Sequence, residues 1–381
     1  MPEIPLGKVA IFIGSHSYMS KREIEAIDKF CATYNAIALC DHTSSYNGVY
    51  RVDYSLIGTQ TQHTFNLLNI QLLIHIGNVS GDYQTPKCIT AKNIWRVSED
   101  GIIRRTFGHV EAVFEMPEYY FFEHYIGEII MLKNEFSKEC NDLYDELYKQ
   151  IPDLPFSNIW IAKELSPLIP QGSVLHFAIL NSLRSWNFFR VNSSIRTMSN
   201  VGGFGIDGCT STLIGASIIR KEIPYFLITG DLAFFYDLNS IGNRHIGSNV
   251  RILLINTGNG AEFLHFQSPT YKVGAKSYIA AEGHFGNKSH LLVKSIAESL
   301  GFMYITADDK SSFNIYKEIF VTPEIGTKPI IFEVFTDAEN QSEAWKLISN
   351  LVDASFSDRL KKIGDEIKKS PIAKFVKKVI G

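Results

Sequence analysis

Cysteine is scarce. The five thiols, Cys31, Cys40, Cys88, Cys140 and Cys209, are scattered through 381 residues with no Cys-x-x-Cys pair, which excludes a disulfide framework and a zinc cluster of the usual spacing. A reducing cytoplasm is the expected compartment. Charge of one sign is also in short supply: 37 Lys and Arg against 40 Asp and Glu leave a formal net charge of -3. Such a chain has no strong field for phosphate backbones or anionic lipid, so nucleic acid is not an expected partner. Long apolar runs are absent too, and nothing approaches the roughly 20 residues that span a bilayer. The opening stretch MPEIPLGKVAIFIGS has no basic segment before its short apolar run and no small-residue cleavage site, so neither a membrane span nor export is expected.

What the chain does have is core-forming material, with 45% hydrophobic and 12% aromatic residues. Its length exceeds one ordinary core, and two compact units are expected. KVAIFIGS reads as a buried strand, KREIEAIDKFCATY as a helix with Ile24, Ile27, Phe30 and Cys31 on one stripe, and NAIALCD as the next strand. IQLLIHIGNVSG and NIWRVSEDG continue an open sheet, and NEFSKECNDLYDELYKQ is helical. Pro152 and Pro155 then interrupt any helix, and Ser157 is placed to cap the next one. The first α/β domain is therefore expected over residues 1–155.

The pattern restarts beyond that point. The expected order is helix SNIWIAKELSPLI, strand SVLHFAI, Gly-rich turn VGGFGIDG, helix CTSTLIGASIIRK, strand YFLITGD, helix LAFFYDLNSIG and strand VRILLIN. Strand PIIFEVF and helix QSEAWKLISNLVDA complete a second α/β domain over 156–358, and a Lys-rich helix or tail is expected over 359–381. The fold class predicted is α/β, with two doubly wound open sheets.

Two strand ends in the second half carry the chemistry. YFLITGD delivers Asp231, and VRILLIN delivers Asn256, Thr257, Gly258, Asn259 and Gly260. The carboxyl ends of neighbouring parallel strands open into one crevice, where ligands of doubly wound sheets bind. A carboxylate, a neutral side-chain oxygen and a carbonyl exposed by a Gly-rich turn form a donor set suited to Mg²⁺ holding a diphosphate. Asp and Asn also occur at strand ends merely as turn formers and caps. A literal G-x-G-x-x-G occurs as well, at Gly203, Gly205 and Gly208, just before a helix but after a poor strand, SSIRTMSN. That is the dinucleotide fingerprint, with Asp231 able to stand as the ribose-binding acid. Glycines that let a helix pack closely on a sheet are the plain alternative.

The stretches SNVGGFGIDGCTSTLIGAS, GDLAFFYDLNS and LLINTGNGAEF, in that order, resemble the diphosphate-binding domain of thiamine diphosphate enzymes. Within that group the resemblance is to the 2-succinyl-5-enolpyruvyl-6-hydroxy-3-cyclohexene-1-carboxylate synthases of menaquinone biosynthesis. It covers the second domain, and residues 1 to 150 look less sharply like that family's central domain. The resemblance implies thiamine diphosphate and Mg²⁺ as cofactors and a thiamine diphosphate-binding fold in the second unit. Gly230, Asp231 and Leu232 match the family's Gly-Asp motif, with Asp231 as metal ligand. The family's Asn-Asn pair reads Asn256-Thr257, which implies Thr257 through its hydroxyl and Asn259 through its carbonyl as the other ligands. Asn181, Ser182, Gly203, Gly205, Ile206, Asp207, Asn256 and Gly258 are implied to line the cofactor, Ile206 as the wedge that bends it.

The resemblance also implies what is missing. The family's activating Glu comes from a pyrimidine-binding domain with no counterpart in this sequence, so no catalytic residue is expected in the chain. It is expected to be a truncated piece or one subunit of a split enzyme, inactive alone. Two substrate-gripping arginines of the family read Trp186 and Val201; Arg184 and Arg190 lie in the same segment but are expected to be solvated or salt-bridged at the surface. His284 and Phe285 resemble a His-Phe near the helix covering the cleft, where the histidine is expected to make a helix-start hydrogen bond, a proton shuttle being the alternative. The implied reaction is decarboxylation of a small 2-oxo acid with transfer of the remainder, in at least a dimer. A different 2-oxo acid, as in surface-polysaccharide synthesis, a non-catalytic cofactor-binding subunit and a nicotinamide dehydrogenase are the alternatives.

Overall fold

A computed structural model describes residues 1–60, 69–82, 85–127, 134–260, 269–275, 278, 286–287 and 289–352. The expected tail over 359–381, and His284 and Phe285, lie outside the described residues. Among the described residues, no helix is long and apolar enough to cross a membrane.

Two six-stranded sheets carry the chain, and every strand pair in both is parallel. The first holds β1 (Lys8–Ile13), β2 (Ile37–Cys40), β3 (Arg51–Asp53), β4 (Ile70–Ile76), β5 (Ala91–Ser98) and β6 (Ala112–Glu115) in the order β3-β2-β1-β4-β5-β6. The second holds β7 (Val174–Phe177), β8 (Arg196–Ser199), β9 (Tyr225–Gly230), β10 (Val250–Asn256), β11 (Met303–Ala307) and β12 (Ile330–Phe335) in the order β11-β12-β10-β9-β7-β8. The α/β class with two doubly wound sheets, read from the alternating runs, is the architecture found. Strands covered by helices on both faces must be largely apolar on both, which is why β1, β4 and β10 read as mainly apolar runs rather than alternating ones.

Local signals set the helices. Ser20 and Glu23 form a reciprocal capping box at the start of the helix Lys21–Tyr34, which buries Ile27, Phe30 and Cys31 and ends on Asn35 in the left-handed conformation. The Ser157 hydroxyl accepts from the Trp160 amide at 3.2 Å, so the expected cap on the helix Asn158–Leu165 is present. SSIRTMSN, weak as a strand signal, nevertheless forms β8. It occupies the edge of the second sheet, with Arg196 and Met198 exposed, so its outer face is not selected for burial.

One core cluster runs through both halves, from Phe12, Val52 and Tyr54 to Trp186, Phe188 and Trp345. Polar contacts cross the same junction. His42 Nε2 lies 3.0 Å from the Trp186 carbonyl and 3.1 Å from that of Phe189, and Gln60 donates to the Ile348 carbonyl at 2.9 Å.

Candidate functional site

In the second sheet the strand order reverses between β7 and β9, so the loops leaving their carboxyl ends diverge and open a crevice. The carboxyl ends of β7, β8, β9 and β10 and the segments leaving them hold the nominated cofactor-lining and metal-binding residues. Asn181 and Ser182 follow β7, the Gly-rich turn follows β8, Gly230 ends β9 with Asp231 and Leu232 after it, and Asn256 ends β10 with Thr257, Gly258 and Asn259 after it. Register sets β9 and β10 side by side, with Gly230 opposite Ile255.

The two central loops meet through one backbone amide. Asp231 opens the helix Asp231–Tyr236 and is buried, with Oδ1 accepting from the Leu232 amide at 2.9 Å. Its Oδ2 accepts from the Gly258 amide at 2.6 Å, a short charge-assisted bond between consecutive strand ends. Gly258 can present that amide because its φ is +74°, where a side chain would be strained. The Asn256 Oδ1 accepts from the same amide at 3.1 Å. Both ends of the Asn256 amide are engaged by the protein, since its Nδ2 also donates to Glu333 Oε1 at 2.7 Å and to the Gly286 carbonyl at 3.2 Å.

Thr257 Oγ1 donates to the Asn259 carbonyl at 2.9 Å, which sets two of the three nominated metal-binding oxygens in contact. The Asn259 side-chain oxygen is buried with no hydrogen-bond partner among the described residues. No group of three His, Cys, Asp or Glu suited to a metal occurs among the described residues. A cation here would rest on one carboxylate and neutral oxygens, a hard set with charge left to be supplied by its ligand.

The Gly-rich turn lies on the same edge. Gly208, at φ +77°, precedes the helix Cys209–Ser217, and Asn200 donates to the Gly208 carbonyl at 3.2 Å. Ile206 is partly buried against the core of the second sheet. A Cβ on Gly205 would meet Asp207 Oδ1, whereas at Gly203 it would meet nothing. Asp237 Oδ2 accepts from the Ser211 amide at 2.7 Å and so joins the helix after this turn to the helix after Asp231. Beyond β7, Leu180 has φ +67°, a strained value for a branched side chain, and the Asn181 Oδ1 accepts from Gln341 Nε2 at 2.9 Å.

The substrate-facing positions differ from expectation. Trp186 is 0% exposed and packs against Phe177 with ring centroids 5.7 Å apart, and Val201 is buried beside Gly81 and Leu183. Both fill core. Arg184, expected at the surface, is buried, because the helix Asn181–Trp186 packs against β9 and the helix Asn158–Leu165 and is buried from Ser182 to Trp186. Arg190 is salt-bridged as expected, but across the junction, to Asp53 at 3.2 Å and Asp145 at 3.0 Å, with its guanidinium 3.8 Å over the Tyr144 ring.

Sequence reasoning missed Glu333. It is 1% exposed in the middle of β12 and accepts from Asn256 and, at 2.7 Å, from the Tyr304 hydroxyl. Burial pushes its carboxyl up from the usual range, against the opposing pull of those two donors. The signal was present, since an acid inside the apolar run PIIFEVF is rarely buried without a purpose.

No protein-family model matches the chain. Among curated proteins, the 2-succinyl-5-enolpyruvyl-6-hydroxy-3-cyclohexene-1-carboxylate synthase of Bacteroides fragilis is 31% identical over 258 residues, covering 67% of this chain and 44% of the relative. The protein of the same name from Phocaeicola vulgatus is 30% identical over 250 residues, covering 65% and 43%. That from Christiangramia forsetii is 34% identical over 191 residues, covering 50% and 32%. The chain thus spans less than half the length of these relatives. Over about two thirds of its length the chain is a homologue of the 2-succinyl-5-enolpyruvyl-6-hydroxy-3-cyclohexene-1-carboxylate synthases, the proteins that its strand-end motifs resemble.

Proposed function

We propose that residues 1–155 and 156–358 are the central and diphosphate-binding domains of a thiamine diphosphate- and Mg²⁺-dependent enzyme that decarboxylates a small 2-oxo acid and transfers the remainder. The observation that carries this reading is the 2.6 Å bond from the Gly258 amide to Asp231, which makes two strand ends one clamp. The donor set fits the metal. Asp231 would hold it through its carboxylate, Thr257 through its hydroxyl and Asn259 through its main-chain carbonyl, and a diphosphate would supply the remaining negative charge. Gly230, Leu232, Asn256 and Gly258 would frame the diphosphate. Asn181, Ser182, Gly203, Gly205, Ile206 and Asp207 would line the rest of the cofactor, Ile206 as an apolar prop beneath its bend.

When bound, thiamine diphosphate supplies the carbon nucleophile and the electron sink; the protein supplies orientation and electrostatics. The work of this chain is then to bind and aim the cofactor, with water kept from Asp231 by burial. The activating Glu would come from a pyrimidine-binding part outside these 381 residues, on the same polypeptide or a partner, in a dimer or larger assembly. The greater length of the relatives supports that arrangement.

A second reading, a 2-oxo acid other than that of the menaquinone pathway, is favoured by one observation: Trp186 and Val201, where the family places arginines, are buried in core. Neither side chain can make the bidentate contacts of a guanidinium with carboxylate.

Thermal unfolding of the chain with thiamine diphosphate and Mg²⁺, each alone, and NAD tests the proposal. Stabilisation is expected only with cofactor and metal together, by about 2.7 kcal/mol at a ligand concentration 100-fold over Kd. Stabilisation by NAD instead, or by nothing, would overturn it.

A further inference from the structure

We infer that Glu333 is a positioning residue for the loop after β10: it fixes the Asn256 side-chain amide in the orientation that aligns the Gly258 amide with Asp231. The inference rests on the reading of that loop as half of a metal-diphosphate clamp, although the contacts that carry it do not.

An Asn side chain offers an oxygen and an NH₂ of nearly equal shape, and only its partners decide which way each end faces. At Asn256 the NH₂ end meets two acceptors, Glu333 Oε1 at 2.7 Å and the Gly286 carbonyl at 3.2 Å. A carboxylate accepts and cannot donate, so Glu333 selects the NH₂ end and turns Oδ1 toward the Gly258 amide, 3.1 Å away. The same N–H reaches Asp231 at 2.6 Å. The Tyr304 hydroxyl holds the other carboxylate oxygen of Glu333 at 2.7 Å, which fixes the acid itself. The resulting chain, Tyr304 to Glu333 to Asn256 to Gly258 to Asp231, crosses the sheet from β11 to the end of β9. An apolar residue at 333 would have packed as well in β12, as Ile331 on the same face of the strand does. The buried acid is explained by the loop it orients, and its raised pKa records the desolvation that placement costs.

Amide hydrogen exchange of the ligand-free chain tests the inference. In Glu333→Leu the Gly258 amide is expected to exchange about tenfold faster, since a buried donor on Asn256 loses its acceptor and the loop its alignment. Glu333→Gln retains an oxygen for Asn256, while the Tyr304 hydroxyl can turn to accept, and should return exchange to near the wild-type rate. Val334→Ala loosens the same strand through the core and should leave Gly258 unchanged relative to its neighbours. Tyr304→Phe, a milder change at a half-buried site, should speed exchange about threefold, and it serves if the Leu variant does not fold. An unchanged Gly258 rate in Glu333→Leu or Tyr304→Phe, or an equal rise in Val334→Ala, overturns the inference. In a parallel arm, the Mg²⁺ concentration giving half-maximal thermal stabilisation with thiamine diphosphate should rise about tenfold in Glu333→Leu and recover in Glu333→Gln. If the wild-type chain shows no such stabilisation, the clamp reading fails, and the exchange rates still decide the role of Glu333.

Discussion

Arg190 donates through Nε to Asp53 Oδ2 at 3.2 Å and so ties the end of β3 in the first sheet to the segment that follows the helix Asn181–Trp186. Arg51 holds the other oxygen of the same carboxylate at 2.8 Å. Burial alone would raise the Asp53 carboxyl; the two guanidiniums outweigh it and hold the group below the usual carboxylate range. A depressed folded pKa contributes stability that is fully present above the unfolded value of about 3.9 and is lost as pH falls through the folded value. Because Arg190 is 33% exposed, solvent screening discounts the pair. Arg190→Met is expected to lower stability at pH 7 by about 1 kcal/mol in urea unfolding. The difference from wild type should begin to shrink below about pH 4, where the unfolded carboxylate takes up a proton, and vanish as pH falls through the lower folded value.

A second pH dependence comes from buried imidazoles. Burial lowers His176, in β7, to about 4, and burial with the nearby Arg96 and Arg104 lowers His75, in β4, to about 3. Both are neutral when folded near pH 7, whereas in the unfolded chain each takes up a proton near pH 6.5. Stability is therefore expected to drain as pH falls from about 6.5, at about 1.4 kcal/mol per pH unit for each histidine. His176→Leu should remove one histidine's share of that slope between pH 6 and pH 4.5. Urea midpoints at stepped pH read it directly, and an unaltered slope would refute the buried-neutral assignment.

The contrast between these residues and the strands explains what was legible in the sequence. β1, β4 and β10 announced themselves because burial on both faces demands runs that are mainly apolar rather than alternating. The short β3 and β6 gave no such signal: each is a sheet edge of a few residues, and β6 is only partly buried. At the site, Asp231 and the loop after β10 were legible as motifs, because local sequence fixes which atoms a strand end presents. The environments of Arg184, Trp186 and Glu333 were not, since each depends on what the other sheet or a neighbouring strand brings against it.

Trp186 gives a direct test of core filling against substrate contact. Its indole is enclosed between Phe177 and the junction that His42 spans, and its carbonyl accepts from that ring. Trp186→Ala is expected to cost about 3–5 kcal/mol, and Trp186→Arg at least as much, because an unpaired guanidinium would be buried. If Trp186→Arg instead unfolded at the wild-type urea concentration, the side chain would have to reach solvent or a pocket, and the position would regain a place in substrate binding.

Asp231 and Gly258 separate charge from geometry at the proposed clamp. Asp231→Asn keeps the shape and one oxygen for the Gly258 amide but turns an NH₂ toward the Leu232 amide, so stability of the ligand-free chain should fall by about 1–3 kcal/mol. What it removes is the single formal charge offered to a cation, and the stabilisation by thiamine diphosphate with Mg²⁺ should disappear. Gly258→Ala does the opposite. The carboxylate stays, but φ +74° strains any side chain and the new Cβ would overlap the Asn287 amide, at a cost of about 1–2 kcal/mol for the left-handed backbone alone. The loop must then shift, the Gly258 amide leaves Asp231, and the Mg²⁺ requirement should rise while some cofactor response persists at high metal. Retention of the full response in Asp231→Asn would mean that the cation, if one binds, is held elsewhere, and the 2.6 Å contact would then be only a strand-end brace.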